Sequence, residues 1–410
     1  MHVIFDPEPM HSSPLDILTR LITKPERLVC GIMSGTSVDA IDVALVRIRG
    51  GGASTRITLL HFREILYAEE LQNRIFANAE VASSNVNDIC LLHAALSHAY
   101  AAAVHETCRS AGIDPTELDL IGMHGQTLRH LPEPMTIAGF RFRSSLQIGN
   151  APMLATLLDT PVVYDFRSGD LALGGQGAPL VPSVDLLLGG SDEEHRVLLN
   201  IGGIANLTIL PRACEAREVI AFDTGPGNML VDGLMRKFYG REYDEDGAVA
   251  RSGAVNAALL TWLMGHDYYR LAPPKTAGRE LFGEDYLSDF LDVAQELAVR
   301  ETNDLIATAS EATVRGISRQ LRDWTENWPA FRLLVSGGGA RNRFFVNGLR
   351  HTFPNARVES VAAIGIDPDA KEAMAFAVLA NEWLMGNPSN IPSATGAERS
   401  ALLGALALPA

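Results

Sequence analysis

One pattern occurs twice in this chain and restricts its fold more than any other feature. Near residue 28 an apolar run, Leu28-Val29-Cys30-Gly31-Ile32-Met33, meets a small polar turn, Ser34-Gly35-Thr36-Ser37. β-rich runs then follow at residues 41–48 and 57–62. Near residue 197 the order returns: Val197-Leu198-Leu199-Asn200-Ile201, the turn Gly202-Gly203-Ile204-Ala205, then runs at 206–210 and 219–222. A helical pattern follows each copy. Identity between the copies is low, so the repeat is one of topology and not of a short stacked unit. The expectation is an α/β chain of two domains, and 410 residues are enough for each to bury its own core. Two meander halves facing a cleft can close on a nucleotide.

The second copy ends in Phe222-Asp223-Thr224-Gly225-Pro226-Gly227-Asn228, before a helical pattern. Two readings stand. Asp223 or Thr224 caps the helix, or the acid is fixed at a strand's carboxyl end, where α/β folds keep their ligands. Similar pairs of readings attach to other segments. His124 is read at a strand-to-loop position, as a ligand contact or a structural hydrogen-bonder. Asp165 to Pro179 holds acids, Arg167, Gln176 and several glycines, as a ligand loop or a crossover between domains. Pro274 to Glu280 carries Lys275 and Arg279 in a loop. Gly337-Gly338-Gly339 follows a strand without a Walker A or GxGxxG pattern, and leaves the backbone open to a nucleotide. Asp369 and Glu372 form a capping-box spacing ahead of a helix, with Glu372 either box partner or ligand contact.

A net charge of −15 excludes a basic nucleic-acid surface and an anionic membrane as partners. A phosphate ligand stays open, because backbone N–H groups bind phosphate inside an acidic protein. The four cysteines are far apart with no CxxC pair. They predict reduced, buried thiols and no zinc or disulfide framework. Residues 1–26 show neither a basic start nor an apolar leader core, and no apolar stretch reaches spanning length. The expected location is the cytoplasm.

Eight co-linear segments together resemble the anhydro-N-acetylmuramic acid kinase family over residues 28–405. They are Met33-Ser34-Gly35-Thr36-Ser37-x-Asp39-x-x-Asp42; His124-Gly125-Gln126-Thr127; Asp165-Phe166-Arg167; Gly174-Gly175-Gln176-Gly177-Ala178-Pro179-Leu180-Val181-Pro182; Asn200-Ile201-Gly202-Gly203; Phe222 to Asn228; Pro274-Lys275-x-x-Gly278-Arg279-Glu280; and Lys371-Glu372-x-Met374-Ala375-Phe376. The resemblance implies a two-domain ribonuclease-H-like (actin-like ATPase) fold with an interdomain active-site cleft. It divides the chain into an extension (1–26), a first domain (27–172, rejoined by residues near 386–405) and a second (173–385). The implied reaction takes ATP, 1,6-anhydro-N-acetylmuramic acid and water to N-acetylmuramic acid 6-phosphate and ADP, in peptidoglycan recycling, by a homodimer.

Roles are implied residue by residue. Asp223 is the base that activates water. Glu372, His124, Arg167 and Gln176 contact the sugar. Gly35, Thr36, Ser37, Val38, Asp39, Ala40, Ile41 and Asp42 form the phosphate loop, with Gly202, Gly203, Gly337, Gly338 and Gly339 as further ATP loops. Mg²⁺ accompanies ATP, with Asp39 as the residue that reaches it. The chain departs from the family at Ser168 and Gly169, where two basic residues are common, and has Val38 and Ala40 where Leu and Gly are common. A same-fold kinase for another amino or anhydro sugar, or a non-catalytic ATP-binding regulator, therefore stands as an alternative.

Overall fold

The computed structural model describes residues 13–410, so the first part of the extension lies outside it. The chain divides into two compact units. The first holds residues up to Ala172 with Glu372–Ser389 and Ser400–Ala410; the second holds Leu173–Lys371 and Asn390–Arg399.

The first unit is built on β1 (Glu26–Ser34), β2 (Ala40–Arg49), β3 (Arg56–Leu66), β4 (Leu120–Ile137), β5 (Phe140–Ile148) and β6 (Val162–Tyr164). Its seven-stranded sheet also takes in the last strand of the chain, Ala405–Ala407, and runs last strand-β6-β4-β1-β2-β3, with β5 paired to β4. β1, β2 and β3 form an antiparallel meander, while β4 and β6 join in parallel. One face packs Cys30, Ile32, Val43, Leu45 and Ile121 on Leu92, Leu96, Tyr100 and Val104 of the helix Val86–Ala111.

The other face takes the helix Lys371–Leu384 through a glycine groove. Gly31 of β1 and Gly122 of β4 are register partners. A Cβ on Gly31 would lie 1.8 Å from the Ala373 carbonyl, and one on Gly122 would lie 2.0 Å from that of Phe376. Small residues at 373, 377 and 380 complete this close approach, and all three are buried. This contact is why residues 372–389 belong to the first unit, whereas the sequence division grouped residues up to 385 with the second. The described end of the extension is a helix, Pro14–Thr23, with Ser13 and Asp16 as a capping box. Buried Arg27 donates to the carbonyls of Leu21 and Lys24 and to Asn381.

The second unit repeats the plan with β7 (His195–Ile201), β8 (Ile204–Leu210), β9 (Ile220–Pro226), β10 (Phe331–Ser336) and β11 (Ala356–Ser360). The five-stranded order is β11-β10-β7-β8-β9, an antiparallel meander extended by two parallel strands. Both sheets thus share the ribonuclease-H-like order, and the repeat read from sequence is a repeat of fold. Val197, Leu199, Leu333 and Val335 face a core shared with Ile306, Ala309 and Ile317 of the helix Thr302–Thr325. Leu198 and Leu334 point to the opposite face, beside Val361 and Ile391. Burial on both faces explains the unbroken apolar runs.

Candidate active site

In the second unit, three loops meet where the parallel strands β7 and β10 end. The β7–β8 turn at Gly202 and Gly203 is stitched to the β9–helix turn: Gly227 and Met229 donate N–H bonds to the Gly203 carbonyl at 2.8 and 3.1 Å, and Asn228 to that of Gly202 at 2.8 Å. The Asn228 side chain also donates to the Ile201 carbonyl at 3.1 Å. A Cβ on Gly227 would sit 2.3 Å from the Gly202 oxygen, so this joint admits only glycine. Gly337, with φ of +75°, brings the third loop against Asn200 and Ile201. The structure therefore brings Gly202, Gly203, Gly337, Gly338 and Gly339 together, with Asn228 at their centre. A glycine-built joint at the carboxyl ends of parallel strands suits phosphate or nucleotide.

Asp223 lies within β9, on the strand leading into that joint. It is not a helix cap. Its Oδ2 accepts the Ala277 N–H at 2.8 Å, its N–H donates to the Lys275 carbonyl at 3.2 Å, and its carbonyl accepts the Tyr268 hydroxyl at 2.7 Å. Thr224 does not cap either, since its hydroxyl donates to the Ala205 carbonyl at 3.1 Å. The helix Met229–Tyr239 starts after Asn228 with no side-chain cap bond. Gln176, also in this unit, donates its backbone N–H to the Thr395 carbonyl at 2.8 Å. Its buried Oε1 has no hydrogen-bond partner among the described residues.

In the first unit, residues 35–42 form the β1–β2 turn and the start of β2. Asp39 is exposed and uses Oδ1 to accept the Ser37 hydroxyl at 2.6 Å and the Ala40 N–H at 3.1 Å. Val38 sits at φ of +54°, an outlier for a β-branched residue. It is held by burial of its side chain and by Gln72, whose amide donates to the Val38 carbonyl at 2.7 Å. Buried Gln126 donates to the Gly35 carbonyl at 3.1 Å and accepts from Ser34, whose hydroxyl also meets Tyr67 at 2.6 Å. Ser37 thus spends its hydroxyl within the loop, and Ser34 spends its own on Gln126 and Tyr67 beside it. Gln126 is a loop-holding residue that sequence reasoning missed, although it stands beside His124 in the same motif.

His124 is not at a strand end: β4 continues past it to Ile137 because β5 pairs with the extra length as a hairpin. The ring is buried, packs on Phe376 at 4.8 Å between centroids, and its Nε2 lies 2.8 Å from the Arg167 guanidinium. Burial, then the Arg167 charge, lowers the imidazole to about 3. Ser168 follows with its N–H on Asp165 at 3.1 Å, and Gly169 lies against Leu402 and Leu403. Glu372 is exposed in the first turn of its helix. Asp369, read as the cap, pairs with Arg341 at 2.5 Å, and Asp367 accepts the N–H groups of Asp369 and Ala370 ahead of the helix. Lys371 forms a buried pair with Asp185 at 2.7 Å. The thiols of Cys30 and Cys108 are buried as expected, but Cys90 is exposed and Cys214 half-buried.

Among the described residues, no group of three or more His, Cys, Asp and Glu side chains is placed to hold a metal. None of their helices is long and apolar enough to cross a membrane.

The family model for anhydro-N-acetylmuramic acid kinase matches residues 27–409. The chain belongs to the anhydro-N-acetylmuramic acid kinase family. It is similar to the protein of that name from Salinibacter ruber, 43% identical over 396 residues, covering 96% of this chain and 100% of the relative. The Caldanaerobacter subterraneus subsp. tengcongensis protein is 40% identical over 397 residues, with the same coverage. The Bacillus thuringiensis subsp. konkukian protein is 39% identical over 384 residues, covering 93% and 99%. Membership of the anhydro-N-acetylmuramic acid kinase family makes the chain a kinase, and the two matched sheets are its framework.

Proposed function

We propose that this kinase uses ATP to phosphorylate O6 of 1,6-anhydro-N-acetylmuramic acid while water opens the anhydro bridge, with Asp223 as general base. One observation carries the reading: Asp223 is held on the strand that leads into the Gly203–Gly227 joint and is not spent on a helix cap. The water oxygen bonds to the anomeric carbon, its proton passes to the Asp223 carboxylate, and the bond from that carbon to O6 breaks. O6 takes the γ-phosphoryl group, and ADP leaves. General-base catalysis of this kind supplies about 10²–10⁴-fold.

The glycine joint receives nucleotide, and the turn at residues 35–42 receives phosphate. Arg167, oriented by His124, answers the lactyl carboxylate of the sugar, while Glu372 and the orphaned Oε1 of Gln176 supply sugar contacts. Mg²⁺ is commonly bound through one or two carboxylates with water and phosphate oxygens, so the lack of a protein cage among the described residues does not argue against it. Asp39 fits that mode, exposed and with Oδ2 outside the Ser37 and Ala40 bonds. The ion would neutralise phosphate charge there. The product enters cytoplasmic cell-wall recycling. Apolar side chains exposed on the β4–β5 hairpin, Ile137 and Phe140 above all, support a homodimer, which light scattering tests.

Ser168 and Gly169 favour a second reading, a kinase for a different amino or anhydro sugar. Incubation with ATP, Mg²⁺ and the anhydro-sugar decides. ADP and the 6-phosphate support the first reading, product from another sugar only supports the second, and ATP binding without turnover on any sugar marks a non-catalytic regulator.

A further inference from the structure

The proposed reaction gives residues 274–278 no task, yet the fold wraps them around Asp223. The Lys275 carbonyl accepts the Asp223 N–H at 3.2 Å, and the Ala277 N–H holds the Asp223 Oδ2 at 2.8 Å. The Lys275 side chain turns away from water and is 6% exposed. Its ammonium donates to the Tyr268 carbonyl at 3.1 Å and lies 4.5 Å from the centre of the Tyr268 ring and 5.7 Å from that of Phe222. Tyr268 closes the circuit, since its hydroxyl donates to the Asp223 carbonyl at 2.7 Å.

Among the described residues no carboxylate is in ion-pair contact with this ammonium, and a buried ammonium so placed is costly. Packing alone would be served better by an apolar chain of the same length. What the cation does here is tie the turn bearing Tyr268 to the loop bearing Ala277, with Asp223 between them. Burial is the largest influence on the ammonium and works against its charge; among the described residues Arg319 also opposes the charge and Asp223 supports it.

We infer that Lys275 is a positioning residue for Asp223: through Tyr268 and the backbone of residues 275–277 it fixes the carboxylate in the orientation needed to take a proton from water. This inference rests on the proposed role of Asp223. Base catalysis demands hydrogen-bond geometry at the transition state, so a loosened carboxylate costs kcat before it costs nucleotide binding.

The test compares Lys275→Met, Tyr268→Phe and Asp223→Asn in the full chain, by kcat, KM for ATP and melting temperature. Lys275→Met is expected to lose about 10–100-fold in kcat, with KM for ATP within about twofold and no fall in melting temperature. Tyr268→Phe keeps the ring under the ammonium and is expected to lose about fivefold in kcat, the worth of one hydrogen bond. Should Lys275→Met melt below the assay temperature, Tyr268→Phe decides. With Asp223→Asn inactive, wild-type kcat in either folded variant overturns the inference and leaves the base assignment standing. Wild-type turnover in Asp223→Asn overturns the base assignment itself, and the inference with it.

Discussion

The His124 imidazole accepts a hydrogen bond from the Arg167 guanidinium, Nε2 to Nη2, at 2.8 Å. A guanidinium only donates, so Nε2 must be unprotonated and the ring neutral, with its proton on Nδ1. Burial and the Arg167 charge enforce this by lowering the ring from 6.5 to about 3. His124 is therefore an orienter of Arg167 across the physiological range and not a proton carrier.

That shift has a stability consequence. The folded chain binds the His124 proton less readily than the unfolded chain does, so the contribution is complete above pH 6.5 and is lost as pH falls toward about 3. Denaturant unfolding at pH 7 and pH 5 reads it. The wild type loses more stability over that interval than His124→Gln, whose side chain has no proton to gain.

Arg167→Leu removes the cation proposed to meet the sugar carboxylate. A hydrogen bond to a charged group is worth about 1.5–3 kcal/mol, so kcat/KM for the anhydro-sugar falls about 10–100-fold. Steady-state titration of each substrate shows the loss on the sugar side, with KM for ATP unchanged.

Gly31→Ala places a methyl group where the Ala373 carbonyl stands 1.8 Å from the ideal Cβ site. The helix Lys371–Leu384 must lift from the sheet, at about 1–3 kcal/mol or more. Calorimetry detects this as a lower melting temperature.

Lys371→Met strands the Asp185 carboxylate, which among the described residues keeps the Thr208 hydroxyl, at 2.7 Å. Breaking a buried pair from one side costs about 3–5 kcal/mol. The double variant Asp185→Leu with Lys371→Met regains most of that in denaturant titrations, because neither charge is then left alone.

The paired meanders were legible in the sequence because each strand's apolar run is local and each turn carries its glycine or small polar residues. Gly202, Gly203 and Gly337 stand out in the sequence, but that their loops meet shows only in the structure, and their part as ATP loops, implied by the family resemblance, belongs to the proposed function. Long-range partners were not legible. The helix Lys371–Leu384 belongs with the first sheet because Gly31 and Gly122 lack side chains, and neither glycine lies near it in sequence. Asp369 has the spacing of a cap, and its pairing with Arg341, 28 residues away, does not show in that spacing. His124 reads as a strand end until Gln147 and Ile148 of β5 pair with Thr127 and Gln126 beyond it.

Asp223 as the base is the centre of the account, and one measurement tests it most directly: single-turnover formation of the sugar 6-phosphate, with ATP and the anhydro-sugar saturating, in wild type and Asp223→Asn. The account predicts a variant that binds ATP as the wild type does and forms product slower by about 10²–10⁴-fold. Product formation by Asp223→Asn at the wild-type rate would contradict it.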